Sequence, residues 1–241
     1  MRHELKKFLI LVLSPLIKLK KMLYLLSVPQ VIYSPNTIDI VRKNAISTSA
    51  EYISNNLSEA MVFSDRRDLW KLTSKIAKTN GVFLEFGVSG GKSINFFAEI
   101  LDPLIEMHGF DSFLGLEESY KGTEWTVGSF STGGKIPKLN KRIKIHEGWF
   151  NQSLPKFVSN FRQPISILHI DSDTYNSTKY VLTSIKKFLV SGSLVLFDEY
   201  HGHPNWENGE FKAWQEFITR NHLKYEYLGF SPHAALVRLV K

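Results

Sequence analysis

The chain has 241 residues, 43% of them hydrophobic, enough for one domain with a substantial core. It contains no cysteine, which excludes disulfides, thiolate metal sites and cysteine nucleophiles, so any metal must be held by oxygen or imidazole ligands. Of the net charge of +7, +5 falls in the first thirty residues, where Arg2, Lys6, Lys7, Lys18, Lys20 and Lys21 face Glu4 alone, and the nearly neutral remainder argues against a nucleic-acid partner.

Residues 1–30 form a basic, apolar N-terminal segment. Its apolar runs, residues 8–13 and 22–26, fall well short of the roughly 20 residues that span a bilayer. No clean small-residue cleavage site follows, which argues against a secretory signal. Two readings stay open: a helix lying on an anionic membrane surface, with the protein at the cytoplasmic inner face of a membrane, or a helix packing on the domain or forming a homo-oligomer. Residues 31–80 read as a connector and helical lid. Pro35-Asn36 suits the connector, and Ile53, Leu57, Ala60 and Met61, then Leu69, Leu72 and Ile76, predict one or two amphipathic helices after residue 50.

Residues 81–241 alternate strand and helix patterns. Strands are predicted at 82–86, at 107–110 ending in Asp111, at 142–146, at 165–170 ending in Asp171, and at 193–197 ending in Asp198. Helices are predicted at 93–100 and 178–189, and residues 225–229 and 234–240 read as a terminal hairpin. Near-continuous apolar strands between helices predict a doubly wound, Rossmann-like α/β fold, a mostly parallel sheet with helices on both faces.

Glu85-Phe86-Gly87-Val88-Ser89-Gly90-Gly91-Lys92-Ser93 closes the first of these strands and opens a helix. Glycines there let backbone approach a ligand, and the helix start offers free N–H groups. The spacing is neither a phosphate-binding P-loop nor a full dinucleotide fingerprint. Asp111, followed by Ser112, lies twenty-four residues after Gly87 at the end of the next strand, where a carboxylate can accept from both hydroxyls of a ribose. Ser93 could donate to a cofactor carboxylate or cap its helix.

Four blocks together, Phe83 through Gly91, His108-Gly-Phe-Asp-Ser-Phe-Leu-Gly-Leu116, His146-Glu-Gly-Trp-Phe-Asn-Gln-Ser-Leu-Pro155 and His169-Ile-Asp-Ser-Asp-Thr-Tyr-Asn-Ser-Thr178, resemble the successive motifs of the macrocin O-methyltransferase family, over roughly three quarters of the chain. The resemblance implies S-adenosylmethionine as cofactor, a sugar hydroxyl as acceptor, a seven-stranded sheet with one antiparallel strand, and a divalent metal, usually magnesium. Carried onto this chain, the turn around Glu85, Gly87, Ser89, Gly91 and Ser93 would hold the methionine part, Asp111 and Ser112 the ribose, and Gly148, Trp149 and Phe150 would border the adenine.

Asp171, Asp198 and Glu199 end consecutive strands and so face one crevice, where three carboxylates repel one another unless a cation lies between them. Hard oxygen ligands favour Mg2+, with manganese or calcium as substitutes. The family's second acidic pair is two aspartates, so Glu199 is a departure. For the base that removes the acceptor proton the candidates are Asp171, His201 and His203, while Asp173 suits a cap for the helix beginning near Asn176. The stretches 117–138 and 205–210, polar and aromatic, suit either stacking on a sugar ring or closing over the site. Other classes compatible with these residues are a catechol-type or other phenol O-methyltransferase and a non-catalytic cofactor-binding protein.

Overall fold

A computed structural model describes residues 36–240, and the basic segment 1–30 with its two open readings lies outside the described residues. From Asp39 onward the chain forms one compact unit. Its strands are β1 (Met61–Val62), β2 (Val82–Phe86), β3 (Met107–Asp111), β4 (Ile143–Glu147), β5 (Ile165–Ile170), β6 (Leu194–Phe197), β7 (Lys224–Phe230) and β8 (Ala235–Val240). Its α-helices are α1 (Thr37–Asn56), α2 (Arg66–Ile76), α3 (Lys92–Ile100), α4 (Phe150–Asn160), α5 (Tyr175–Ile185) and α6 (Glu210–Asn221).

The strands make one sheet in the order β1-β7-β8-β6-β5-β2-β3-β4. Only β8 runs against the others, pairing antiparallel with both β6 and β7. The expected mostly parallel sheet with a terminal hairpin is therefore present, with eight strands rather than seven. The addition is β1, whose two residues pair parallel with β7 at Met61↔Gly229 and Val62↔Phe230. A two-residue exposed edge strand carries no alternation of its own, so its pairing depends on the tertiary fold.

Every residue of β2, β5 and β6 is buried, as sequences covered on both faces require. Alternation divides them between two layers. Val82, Leu84, Phe86, Leu168, Ile170, Val195 and Phe197 pack with α4, α5 and α6. Phe83, Ile167, Leu194 and Leu196 pack with α2 and α3, against Trp70, Ile94 and Phe97. The second layer also contains two polar side chains, Glu85 and His169, both fully buried and opposite one another in register across β2 and β5. Full burial of a phenylalanine contributes roughly 1.5–3 kcal/mol. A buried hydrogen-bonded polar pair contributes little by itself, so the surrounding rings, not this pair, stabilise the layer.

Helix α1 occupies much of the stretch expected to be connector. Ile40, Val41 and Ile46 are exposed, and Ala45 and Ser49 are its buried residues, so it shows no apolar stripe to read. Its attachment is polar and aromatic. Ser49 Oγ accepts from Gly202 N at 2.8 Å, and Thr48 Oγ1 accepts from Trp206 Nε1 at 3.0 Å. Tyr52 joins a cluster of phenols, sharing a hydrogen bond of 2.8 Å with Tyr227, which shares others with Tyr200 (2.7 Å) and Tyr225 (3.2 Å). Gln215 Nε2 donates to Tyr200 and Tyr225. Among the described residues no helix is long and apolar enough to cross a membrane.

Candidate active site

From β2 the chain proceeds to β3 and β4 on one side of the sheet, then crosses to β5 and β6 on the other. The order reverses between β2 and β5, and in open α/β sheets ligands bind beyond the carboxyl ends of the strands at such a point. A cleft of about 310 Å³ opens there. That size suits a small molecule.

One end of the cleft is backbone and hydrogen-bond geometry. Gly87 leaves β2 with φ +98°, and a Cβ on it would lie 1.8 Å from the carbonyl oxygen of Asp171, so β2 and β5 meet closely only because this residue has no side chain. Asp111 ties the turn to the end of β3. Its Oδ2 accepts from Val88 N and Ser89 N, both at 2.7 Å, and its Oδ1 accepts from Phe113 N at 2.6 Å. A carboxylate has about four lone-pair sites, so roughly one remains for a ligand hydroxyl. Ser89, Ser112, Trp149 and Phe150 also line the cleft, opposed by Trp125 and Phe130 from the long loop after β3. Phe150 is shared with the core, edge-on to Phe86 at 5.4 Å.

Acids gather at the other end. Asp171 and Asp173 follow β5 and Asp198 and Glu199 follow β6, all lining the cleft. Arg66, the first residue of α2, reaches them from the opposite side of the chain, bonding Asp198 Oδ2 through Nη1 and lying 3.9 Å from Glu199 Oε1 through Nη2. Glu210, fully buried at the start of α6, braces the two strand ends: Oε1 accepts from Ser172 N and Asp173 N at 3.2 Å, and Oε2 from Glu199 N at 3.3 Å. Burial, then the neighbouring charges of Asp198 and Asp173, holds the Asp171 carboxyl well above the carboxylate range. Burial and Asp198 push Asp173 up to about 7. Burial, with Asp198 and Asp173, pushes Glu199 up to about 8 against the opposing pull of Arg66.

Several expectations change here. Glu85, Gly91, Ser93 and Gly148 do not line the cleft. Ser93 Oγ instead donates to Glu85 Oε1 at 2.9 Å beneath it, because β2 alternation turns Glu85 into the buried layer. Gly91 is the N-cap of α3 against Leu139, and Gly148 N donates to the carbonyl of Asp111. Asp173 does not cap α5: Thr174 does, accepting from Ser177 N, while Asp173 sits at φ +59° in the cleft wall. His201 is buried beside Phe230 and outside the cleft, its imidazole pushed down to about 4 chiefly by burial. His203 is likewise buried, with Nε2 3.0 Å from the Tyr120 hydroxyl. Phe230 of the hairpin covers His201, and Tyr120 covers His203. Glu199 lines the cleft yet stands outside the group of side chains close enough to share one ion. Among the described residues that group is His169, Asp171 and Asp198, with one ligand atom from each within 4.8 Å of the others.

Residues 84–200 match the family model described as a methyltransferase domain. The chain carries a methyltransferase domain. The expectation of a methyltransferase enzyme is thus met, and fold comparison agrees. CalS11, described as a calicheamicin methyltransferase and TDP-rhamnose 3'-O-methyltransferase, superposes with a TM-score of 0.58 at 23% identity, over 85% of this chain and 93% of its own. The O-methyltransferase NovP gives 0.52 at 19% identity, over 73% and 78%, and an O-methyltransferase from Bacillus cereus in complex with SAH gives 0.51 at 15%, over 87% and 94%. At these identities the likeness establishes the fold. No curated protein matches the chain.

Proposed function

We propose that this methyltransferase domain transfers the methyl group of S-adenosylmethionine to a hydroxyl of a sugar or glycan, with a divalent cation at the acid end of the cleft. The observation that carries the reading is the pairing, in one cleft, of a nucleotide-type end built on Gly87 and Asp111 with an acid end built on Asp171 and Asp198. The resemblance to the macrocin O-methyltransferase family and the sugar-modifying description of CalS11 support the acceptor class.

The donor set fits a cation. His169 Nε2 and Asp198 Oδ1 are both buried without a hydrogen-bond partner and lie 4.0 Å apart, so two lone-pair-bearing atoms face one another across a gap too long for a hydrogen bond. Bound S-adenosylmethionine supplies an electrophilic methyl on a sulfonium, and a bound divalent ion supplies Lewis acidity toward the acceptor oxygen. This chain's residues do the rest. Gly87 draws the turn after β2 against β5 at the cleft wall, Asp111 accepts from a ribose hydroxyl, and Trp149 and Phe150 flank the base. Asp171, lining the cleft at the meeting of both ends, takes the proton from the acceptor hydroxyl.

Two outcomes test this. An Asp111→Ala chain is expected to bind S-adenosylhomocysteine roughly 10- to 100-fold more weakly, as loss of one charged hydrogen bond implies; unchanged affinity by calorimetry would remove Asp111 from the cofactor site. Methyl transfer to a panel of glycosides and catechols is expected to favour glycosides and to stop in excess chelator. Equal rates with and without chelator would sink the metal role.

A further inference from the structure

We propose that the cation is held by a mixed ligand set, His169 Nε2 with Asp171 and Asp198, and that Glu85 is the positioning residue that aims His169. This rests on the reading that the site takes a divalent ion, and it replaces the all-carboxylate set of Asp171, Asp198 and Glu199 expected from sequence.

His169 lies two residues before Asp171, so strand alternation sends both side chains to the same side of the sheet. The imidazole is fully buried, 6.2 Å from the ring of Trp70 and 5.7 Å from that of Phe97 by centroids. Its orientation is fixed from behind. His169 Nδ1 lies 2.8 Å from Glu85 Oε2, and the other Glu85 oxygen accepts from Ser93 Oγ at 2.9 Å. A carboxylate on Nδ1 holds the proton there and leaves the Nε2 lone pair free, the arrangement that orients metal-binding histidines.

That lone pair points at nothing else. Nε2 has no hydrogen-bond partner, nor does Asp198 Oδ1, 4.0 Å away. Asp198 Oδ2 is taken by Arg66, which leaves Oδ1 as the available oxygen. Ligand atoms around an ion with bonds of about 2.1 Å stand roughly 3 to 4 Å apart. The three donors lie within 4.8 Å of one another, with His169 Nε2 and Asp198 Oδ1 already at 4.0 Å, so the set needs to close by about an ångström. Glu199 is paired toward Arg66 instead.

An imidazole in the set has a chemical consequence. Nitrogen ligation favours manganese, iron, cobalt or zinc over magnesium and calcium, which prefer oxygen alone. The resident ion of this site is accordingly a first-row transition metal.

The test uses the full chain, freed of metal by chelator and reloaded with Mn2+ alone. Pulsed electron paramagnetic resonance is expected to show coupling from one imidazole nitrogen, and calorimetry a Mn2+ affinity at least tenfold above that for Mg2+. His169→Gln is expected to remove the nitrogen coupling and weaken Mn2+ binding. Glu85→Gln keeps the coupling while weakening Mn2+ binding roughly 10- to 100-fold. The spectrum of the unaltered chain decides the matter even where a buried variant folds poorly. Bound Mn2+ without nitrogen coupling would overturn the mixed set and leave the metal-assisted reading intact. No Mn2+ binding at all would overturn both, making His169 an imidazole shared between Glu85 and Asp198. S-adenosylhomocysteine binding, measured on the same samples, reports separately on the cofactor end.

Discussion

A Gly87→Ala chain is expected to melt about 10 °C below the unaltered one and to lose S-adenosylhomocysteine binding, whereas Gly90→Ala matches it in both. The two glycines stand in the same turn but meet different surroundings. At Gly87 an added Cβ would lie 1.8 Å from the Asp171 carbonyl oxygen and 2.8 Å from its carbon, and φ is +98°. Both obstructing atoms are backbone, so no side chain can rotate away. Relief requires parting β2 from β5 and stretching the 2.9 Å bond from Asp171 N to the Phe86 carbonyl. The cost is about 3–5 kcal/mol, combining a severe clash with a left-handed alanine. At Gly90 nothing lies within 4 Å. Calorimetry and melting curves on both variants check this; a Gly87→Ala chain as stable as Gly90→Ala would contradict the close approach of the two strands.

In chelator, stability is expected to fall between about pH 6.5 and 8, where most proteins are near their plateau. The signs follow from which state holds more protons. Asp173 and Glu199 have ordinary values near 4 when unfolded, but in the fold they reach about 7 and about 8, and Asp171 and Glu210 are also raised. Above the unfolded values the folded chain keeps protons that the unfolded chain has released, so these acids lose stability as pH rises through the folded values. Buried histidines act oppositely. His108 and His201, both lowered to about 4, are neutral in the fold while the unfolded chain charges, so their contribution grows with pH up to about 6.5 and then stops. Above that point the acids act alone, and Glu199 by itself accounts for about 2 kcal/mol by pH 8. Adding Mn2+ is expected to reverse the trend, because ligation requires the deprotonated acids. Melting temperatures across this range, with chelator and with Mn2+, provide the check, and a flat or rising chelator curve counts against the acid cluster.

Much of the architecture was legible because buried parallel strands write themselves as apolar runs. β2, β3, β5 and β6 fall within a residue or so of the runs at 82–86, 107–110, 165–170 and 193–197, and the hairpin where alternation resumes. Asp111, Asp171 and Asp198 were legible for the same reason: a charged residue directly after an apolar run lies at the strand's carboxyl end. What escaped has no local mark. Arg66 reaches Asp198 across 132 residues and, by sequence, opens an ordinary helix. Glu210 reads as part of a polar loop, yet the fold buries it as a brace for two backbones. His169 left a usable trace, a lone titratable residue in an apolar strand, in phase with Asp171 and in register with Glu85. Residues 37–49 lacked amphipathic periodicity because α1 leaves Ile38, Ile40 and Ile46 exposed.

The phenols that join α1 to the hairpin have a consequence at alkaline pH. Tyr52 is raised to about 12 and Tyr200 and Tyr227 are raised as well, in each case chiefly by burial. A phenol that gives up its proton here must place a negative oxygen among other hydroxyls in a water-poor pocket. The unfolded chain releases these protons near pH 10, so the folded state is progressively disfavoured above that value. Tyrosinate absorbance of these three rings should therefore rise together with the loss of helical signal, so that the join between the first described helix and the last two strands reports its own parting in the ultraviolet spectrum.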